Sequence, residues 1–111
     1  MSDPRHRELA ERWWTMTVAE QLGNIGSEIS RAAKWTTRNP DLAQAALYRA
    51  LDLFDLTLDD PRHRRSPARL REIARAREVV VDLFEGSNEY GSTAASLQRY
   101  FDAFAACRPR M

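Results

Sequence analysis

Four stretches of the chain repeat apolar residues at helical spacing, and none alternates long enough to read as a strand. The first runs from about Thr17 to Trp35. Val18, Leu22, Ile25, Ile29 and Ala32 step by four, three, four and three, a narrow apolar seam of the helix-bundle kind. Thr17 and Glu20 bracket its start as a capping box. The second begins at Asn39-Pro40, a cap followed by proline, and runs to about Thr57. Leu47, Leu51, Phe54 and Leu58 form its stripe, widened by Leu42, Ala46, Ala50 and Leu53, and Asp59-Asp60-Pro61 stops it.

The third stretch opens with the same signal at Ser66-Pro67 and continues to about Glu85, with Gly86 as its stop. Leu70, Ile73, Val80 and Phe84 share its apolar face. The fourth starts at Ser92 or Thr93 and ends near Cys107, with Leu97, Tyr100, Phe101 and Phe104 on one side. The connections are about four, eight and seven residues, which suits antiparallel neighbours. The pattern predicts an all-α, up-and-down four-helix bundle over 17–108. Residues 1–16 are expected as a short N-terminal extension or helix, with Asp3-Pro4 capping a segment that ends in Trp13 and packs across one end of the bundle.

With 111 residues there is room for one core and little more. One cysteine, Cys107, excludes an internal disulfide framework and fits a reduced, cytoplasmic protein. On a helix face it reads as a packing residue. The longest apolar run is Val79-Val80-Val81, so no segment suits a membrane span or a secretory leader. The net charge is +1, yet it is unevenly spread. Residues 1–61 hold seven Lys/Arg and ten Asp/Glu, a net of −3; residues 62–111 hold ten and six, a net of +4. All the cations but Lys34 are arginine, for which genome composition is the simpler source and an anionic partner the other. The opposed halves also suit self-association.

Four features exceed what a bundle needs. Gly23 and Gly26 interrupt the first helix, each at a cost of about 1 kcal/mol. Gly23, Ser27 and Ser30 make a small-residue strip that either packs tightly inside the bundle or receives a partner. Arg77 lies in the seam between Ile73 and Val80 with no acid at helical reach. Either it lays its stem on the core and keeps its head wet, or it is buried against a carboxylate from elsewhere, for which Glu28 and Glu89 are the candidates. The loop from Glu85 to Ser92 gathers Glu89, Tyr90 and two glycines. Arg62, Arg64, Arg65, Arg69 and Arg71 cluster where the third helix starts, an end that disfavours cations. They read as a solvated face balanced by nearby acids, or as a nucleic-acid patch.

Catalytic signatures are missing. His6 and His63 both sit beside arginines, which argues against a histidine metal site. Neither follows an arginine by four to six residues, as the helical RNases of the HEPN group require. No Glu-x-x-His, phosphate-binding loop or nucleophile elbow occurs. No metal and no cofactor are expected.

The stretches 19–31, 49–57, 77–84 and 88–92 resemble a family of small, functionally uncharacterised prokaryotic helical proteins. The resemblance spans about residues 13–104 and leaves out the run Arg62–Arg65. It implies a fold and no activity. A more distant architectural likeness links the chain to four-helix accessory proteins that oligomerise and bind nucleic acid beside reverse transcriptases, a likeness of fold alone.

Three functions are therefore expected in order. The first is a non-catalytic interaction protein that self-associates or docks on a protein partner, with Trp13, Trp14, Met16, Gly23 and Ser27 as its candidate interface. The second is a nucleic-acid-binding accessory protein using the arginine cluster. The third is an enzyme whose pocket gathers Glu28, Arg31, Arg77, Glu89 and Tyr90, an arginine holding an anionic substrate and a glutamate acting as base.

Overall fold

The computed structural model describes residues 4–106. Among them are six helices and no strand: α1 (Pro4–Trp13), α2 (Val18–Trp35), α3 (Pro40–Leu58), α4 (Pro61–Arg64), α5 (Pro67–Glu85) and α6 (Ala94–Ala106). None is long and apolar enough to cross a membrane. The readings of Phe104 and Cys107 fall outside the described side chains.

Each long helix begins where a side chain takes over an unpaired backbone donor. Thr17 Oγ1 accepts from the Glu20 amide while Glu20 Oε1 accepts from the Thr17 amide. Asn39 accepts from the Leu42 amide, and Ser66 from the Arg69 amide, each with proline next in the chain. Thr93 and Ser96 cap α6 by the same reciprocal exchange. The pattern occurs once more than the sequence reading allowed. Asp60 accepts from the Arg62 amide and Pro61 follows it, so Asp60-Pro61 starts the one-turn helix α4 as well as closing α3.

Helix α2 packs against α3 and α6, α3 against α5, the short α1 against α3, and the short α4 against α5 and α3. Gln21 meets Asp60 and Glu28 meets Arg49, so α2 and α3 run antiparallel. Leu22, Ile25, Ile29 and Ala32 of α2 are buried, as their spacing predicts. They meet Phe54 of α3, Ile73 and Val80 of α5, and Phe101 of α6 in one core. Phe54 and Phe101 touch edge to face, with ring centres 6.1 Å apart.

The predicted stripe of α3 faces the core, with Leu51, Leu53 and Leu58 packed partly buried against it, and departs from expectation only at Leu42. Ala43, Ala46, Leu47, Ala50 and Phe54 are buried, whereas Leu42 is half exposed at 48%. Small alanines let the α2 and α3 backbones approach, and Leu42, in the first turn of α3, stays outside that contact.

A Cβ on Gly26 would stand 2.6 Å from Phe101 Cβ, closer than two carbons can sit. That approach of α6 to α2 is what the second interior glycine serves. Residues 4–16 belong to the same body, because Ala10 and Trp13 join the core.

Candidate functional site

The tryptophan pair is occupied internally. Trp13 is buried and donates from Nε1 to Thr57 Oγ1 at 2.8 Å. Trp14 is half-buried and donates to the Leu56 carbonyl at 2.8 Å. Met16 is likewise half-buried against the core. The proposed anchor for a partner is thus the closing layer of the protein's own core, since both indole donors find acceptors on α3. Gly23 and Ser27 lie apart from it. They border a cleft between α2 and α6 of about 340 Å³, where Ser27 Oγ donates back to the Gly23 carbonyl.

The five residues of the enzyme reading fall into three places. Glu28 pairs with Arg31 at 2.7 Å and with Arg49 at 3.1 Å on the outer side of α2 and α3. Arg77 pairs with neither Glu28 nor Glu89. Its Nε donates to Asp55 Oδ1 at 2.9 Å, and the side chain stays one-third exposed. This corrects the partner expected from sequence. Asp55 sits on the neighbouring α3 at the matching height, a position set by the stagger of two helices.

Glu89 and Tyr90 belong to a loop wound onto the end of α5. Asp82 accepts from the Glu89 and Tyr90 amides, and Asn88 Oδ1 accepts from the Ser92 amide. Asn88 and Gly91 take the left-handed backbone that this winding needs. The Tyr90 ring lies beside the Arg75 guanidinium at 5.9 Å, and its hydroxyl donates to Glu78 at 3.3 Å. These are the bonds of a folded loop.

The arginine cluster is divided too. Arg62 grips Asp60, with Nη2 to Oδ2 at 2.6 Å, and donates to the Met16 carbonyl. Arg64 reaches the Leu58 carbonyl and, at 3.9 Å, Asp59. Arg65, Arg69 and Arg71 have no ion pair among the described residues. Arg69 and Arg71 leave α5 about 200° apart around its axis, so they share no face.

Sequence reading missed a polar cluster where α1, α2 and α4 meet. Gln21, Asp60 and His63 are wholly buried there. Gln21 Nε2 donates to the Trp13 carbonyl at 2.9 Å and to Asp60 Oδ2 at 3.0 Å. Gln21 Oε1 lies 2.7 Å from His63 Nε2. Burial works against ionising Asp60, yet hydrogen bonds from Arg62 and Gln21 outweigh it and hold the carboxyl down at about 2. Burial pushes His63 below its ordinary value, helped by Arg69 and Arg62 and opposed by Asp60. The repeated cap-then-proline signal at Asp60-Pro61 was the one sequence clue to this corner.

The C-terminal half of α5 keeps a partly exposed apolar surface. Val80 is buried there, Val79, Leu83 and Phe84 pack partly buried against the core, and Val81 is partly exposed. A cleft of about 400 Å³ lies on one flank, lined by Ala76 and Val79 of α5 and Leu97 and Tyr100 of α6. A groove of about 270 Å³ lies on the other, between Phe84 and the Pro40–Leu47 stretch of α3. Tyr100 at the cleft is pushed up to about 12 by burial and by Glu72, to which its hydroxyl donates.

No protein-family model matches the chain, no curated protein is similar to it, and no solved structure matches it.

Proposed function

We propose that this chain is a non-catalytic helical interaction protein that associates with itself through the C-terminal half of α5. One observation carries the reading. The stretch Val79–Phe84 is apolar but for Asp82, and beside buried Val80 the side chains of Val79, Val81, Leu83 and Phe84 are only partly covered by the fold. A helix of that composition is normally covered on all sides. The flanking cleft and groove offer room for side chains of a second copy. The net of −3 on residues 1–61 against +4 on residues 62–111 favours a copy of the same chain.

The candidate acid–base groups support the non-catalytic side of this reading, because each is tied into an ion pair or a loop away from the others. We take the four long helices as an up-and-down bundle closed at one end by α1 and α4. That arrangement suits the small prokaryotic helical proteins that the sequence resembles, and a single cysteine suits the cytoplasm.

The test is light scattering on the full chain during size-exclusion chromatography, with absorbance read at 260 and 280 nm. The expected result is a discrete oligomer that Val81→Glu converts to a monomer of unchanged helicity. A wild-type monomer at tens of micromolar would overturn the reading. A high 260/280 ratio that falls in salt would replace it with nucleic-acid binding.

A further inference from the structure

Gln21 has two amide hydrogens, and both are engaged, one on the Trp13 carbonyl and one on Asp60. Its oxygen can only accept. His63 Nε2, 2.7 Å away, must therefore be the donor. This fixes the tautomer: the proton is on Nε2, and Nδ1 carries a bare lone pair. Nδ1 is buried and has no hydrogen-bond partner. A neutral ring tolerates this: it leaves only an acceptor unused, and buried acceptors go unsatisfied more often in folded proteins than buried N–H donors do. A protonated ring does not. It would place an N–H with no acceptor, and a positive charge, in a sealed corner.

The groups facing the ring decide whether a charge could be held there. Helix α2 offers only neutral Gln21, and the Trp13 carbonyl is neutral as well. From α4 come Asp60, 3.6 Å from Nε2, and Arg62; from α5 comes Arg69. Asp60 attracts a charged ring, but its two oxygens already accept from Arg62 Nε, Nη2 and amide and from Gln21. Both arginines repel it. The same cluster ties neighbouring segments together. Gln21 holds the end of α1 through the Trp13 carbonyl, and Arg62 holds the Met16 carbonyl.

We propose that α4 is a proton-operated latch: protonation at His63 Nδ1 expels the ring and frees α4 together with the C-terminal end of α1. The segment so released carries Trp13, whose indole covers the core beside Thr57. Mild acid then turns a closed end of the molecule into an exposed apolar surface. His63 alone operates this latch, because Asp60, held at about 2, stays ionised throughout the range. The downward push on His63 puts the working range below its ordinary value of 6.5.

The experiment uses the full chain carrying His6→Gln, which leaves His63 as the sole histidine, and Trp35→Phe, which leaves Trp13 and Trp14 as the reporters. Indole emission and far-ultraviolet dichroism are followed from pH 8 to pH 4.5. The expected result is a red shift below pH 6.5 while most of the helicity remains. His63→Asn in the same background keeps a donor toward Gln21, cannot titrate, and loses the step. Emission that stays flat, an equal step in His63→Asn, or loss of all helicity in the same step would each overturn the latch. Should the asparagine variant not fold, the ring ¹⁵N shifts of the unsubstituted histidine decide. An Nε2–H tautomer titrating below 6.5 together with the red shift supports the latch, and an Nδ1–H tautomer or titration at 6.5 or above overturns it.

Discussion

Gly26 of α2 and Phe101 of α6 sit so close that a single added carbon on the glycine would fall 2.6 Å from Phe101 Cβ. The neighbouring atom is the rigid root of a buried ring, so it cannot swing away. Gly26→Ala is expected to lower stability by about 1–3 kcal/mol, through overpacking that outweighs the gain in helix propensity. Gly23, three residues earlier, borders an open cleft. Gly23→Ala is expected to be neutral or to stabilise by up to about 1 kcal/mol. Urea unfolding of the two variants side by side checks the contrast.

Asp60 caps α4 and accepts both from Gln21 and from Arg62. Asp60→Ala removes a cap, worth about 1 kcal/mol. It also strands a buried Gln21 donor, at about 1–3 kcal/mol. The expected loss is about 2–4 kcal/mol, with tryptophan emission shifted to the red because the α1 end loosens. Unfolding measured at pH 7.5 by fluorescence and by dichroism tests both parts.

Arg77 and Asp55 form a partly exposed pair, one-third and more than one-half accessible. Exposed pairs are worth at most about 1 kcal/mol. A double-mutant cycle on Arg77→Ala and Asp55→Ala is expected to give a coupling of about 0.3–1 kcal/mol. The same cycle between Arg77 and Glu28, which face different neighbours, is expected to give none.

Stability should depend on pH at both ends. His63 is lowered in the folded chain, so its contribution is whole above 6.5 and is lost as pH falls through its folded value. Asp60, lowered to about 2, adds stability above the ordinary 3.8 that disappears as pH drops toward 2. Tyr100, raised to about 12, contributes fully below 10 and loses its effect as pH climbs through 12. Denaturation midpoints between pH 3 and pH 11 should therefore fall on both sides of a neutral plateau. Tyr100→Phe should flatten the alkaline limb, leaving the acid limb in place.

The helices were legible because their causes are local. Thr17 with Glu20, Asn39-Pro40 and Ser66-Pro67 mark starts through bonds within one turn, and the seam from Val18 to Ala32 follows from a 3.6-residue period alone. Helix α4 was hidden because one turn has no period. Its start, Asp60-Pro61, reads equally well as the end of the helix before it.

Sequence by itself determined an all-helical chain, the bounds of its long helices, the buried seam of α2 and a short segment ending in Trp13. Tertiary structure decided who meets whom. Arg77 found Asp55 rather than Glu28 or Glu89, and Trp13 found Thr57 rather than a partner. Gln21, an ordinary polar residue on a helix in one dimension, became the hub of a sealed cluster with Asp60 and His63. The physical reason is that spacing fixes which side of a helix a residue occupies, whereas pairing depends on how far helices slide and rotate against one another. Close contacts such as Gly26 on Phe101 set that stagger, and they join residues far apart in the chain.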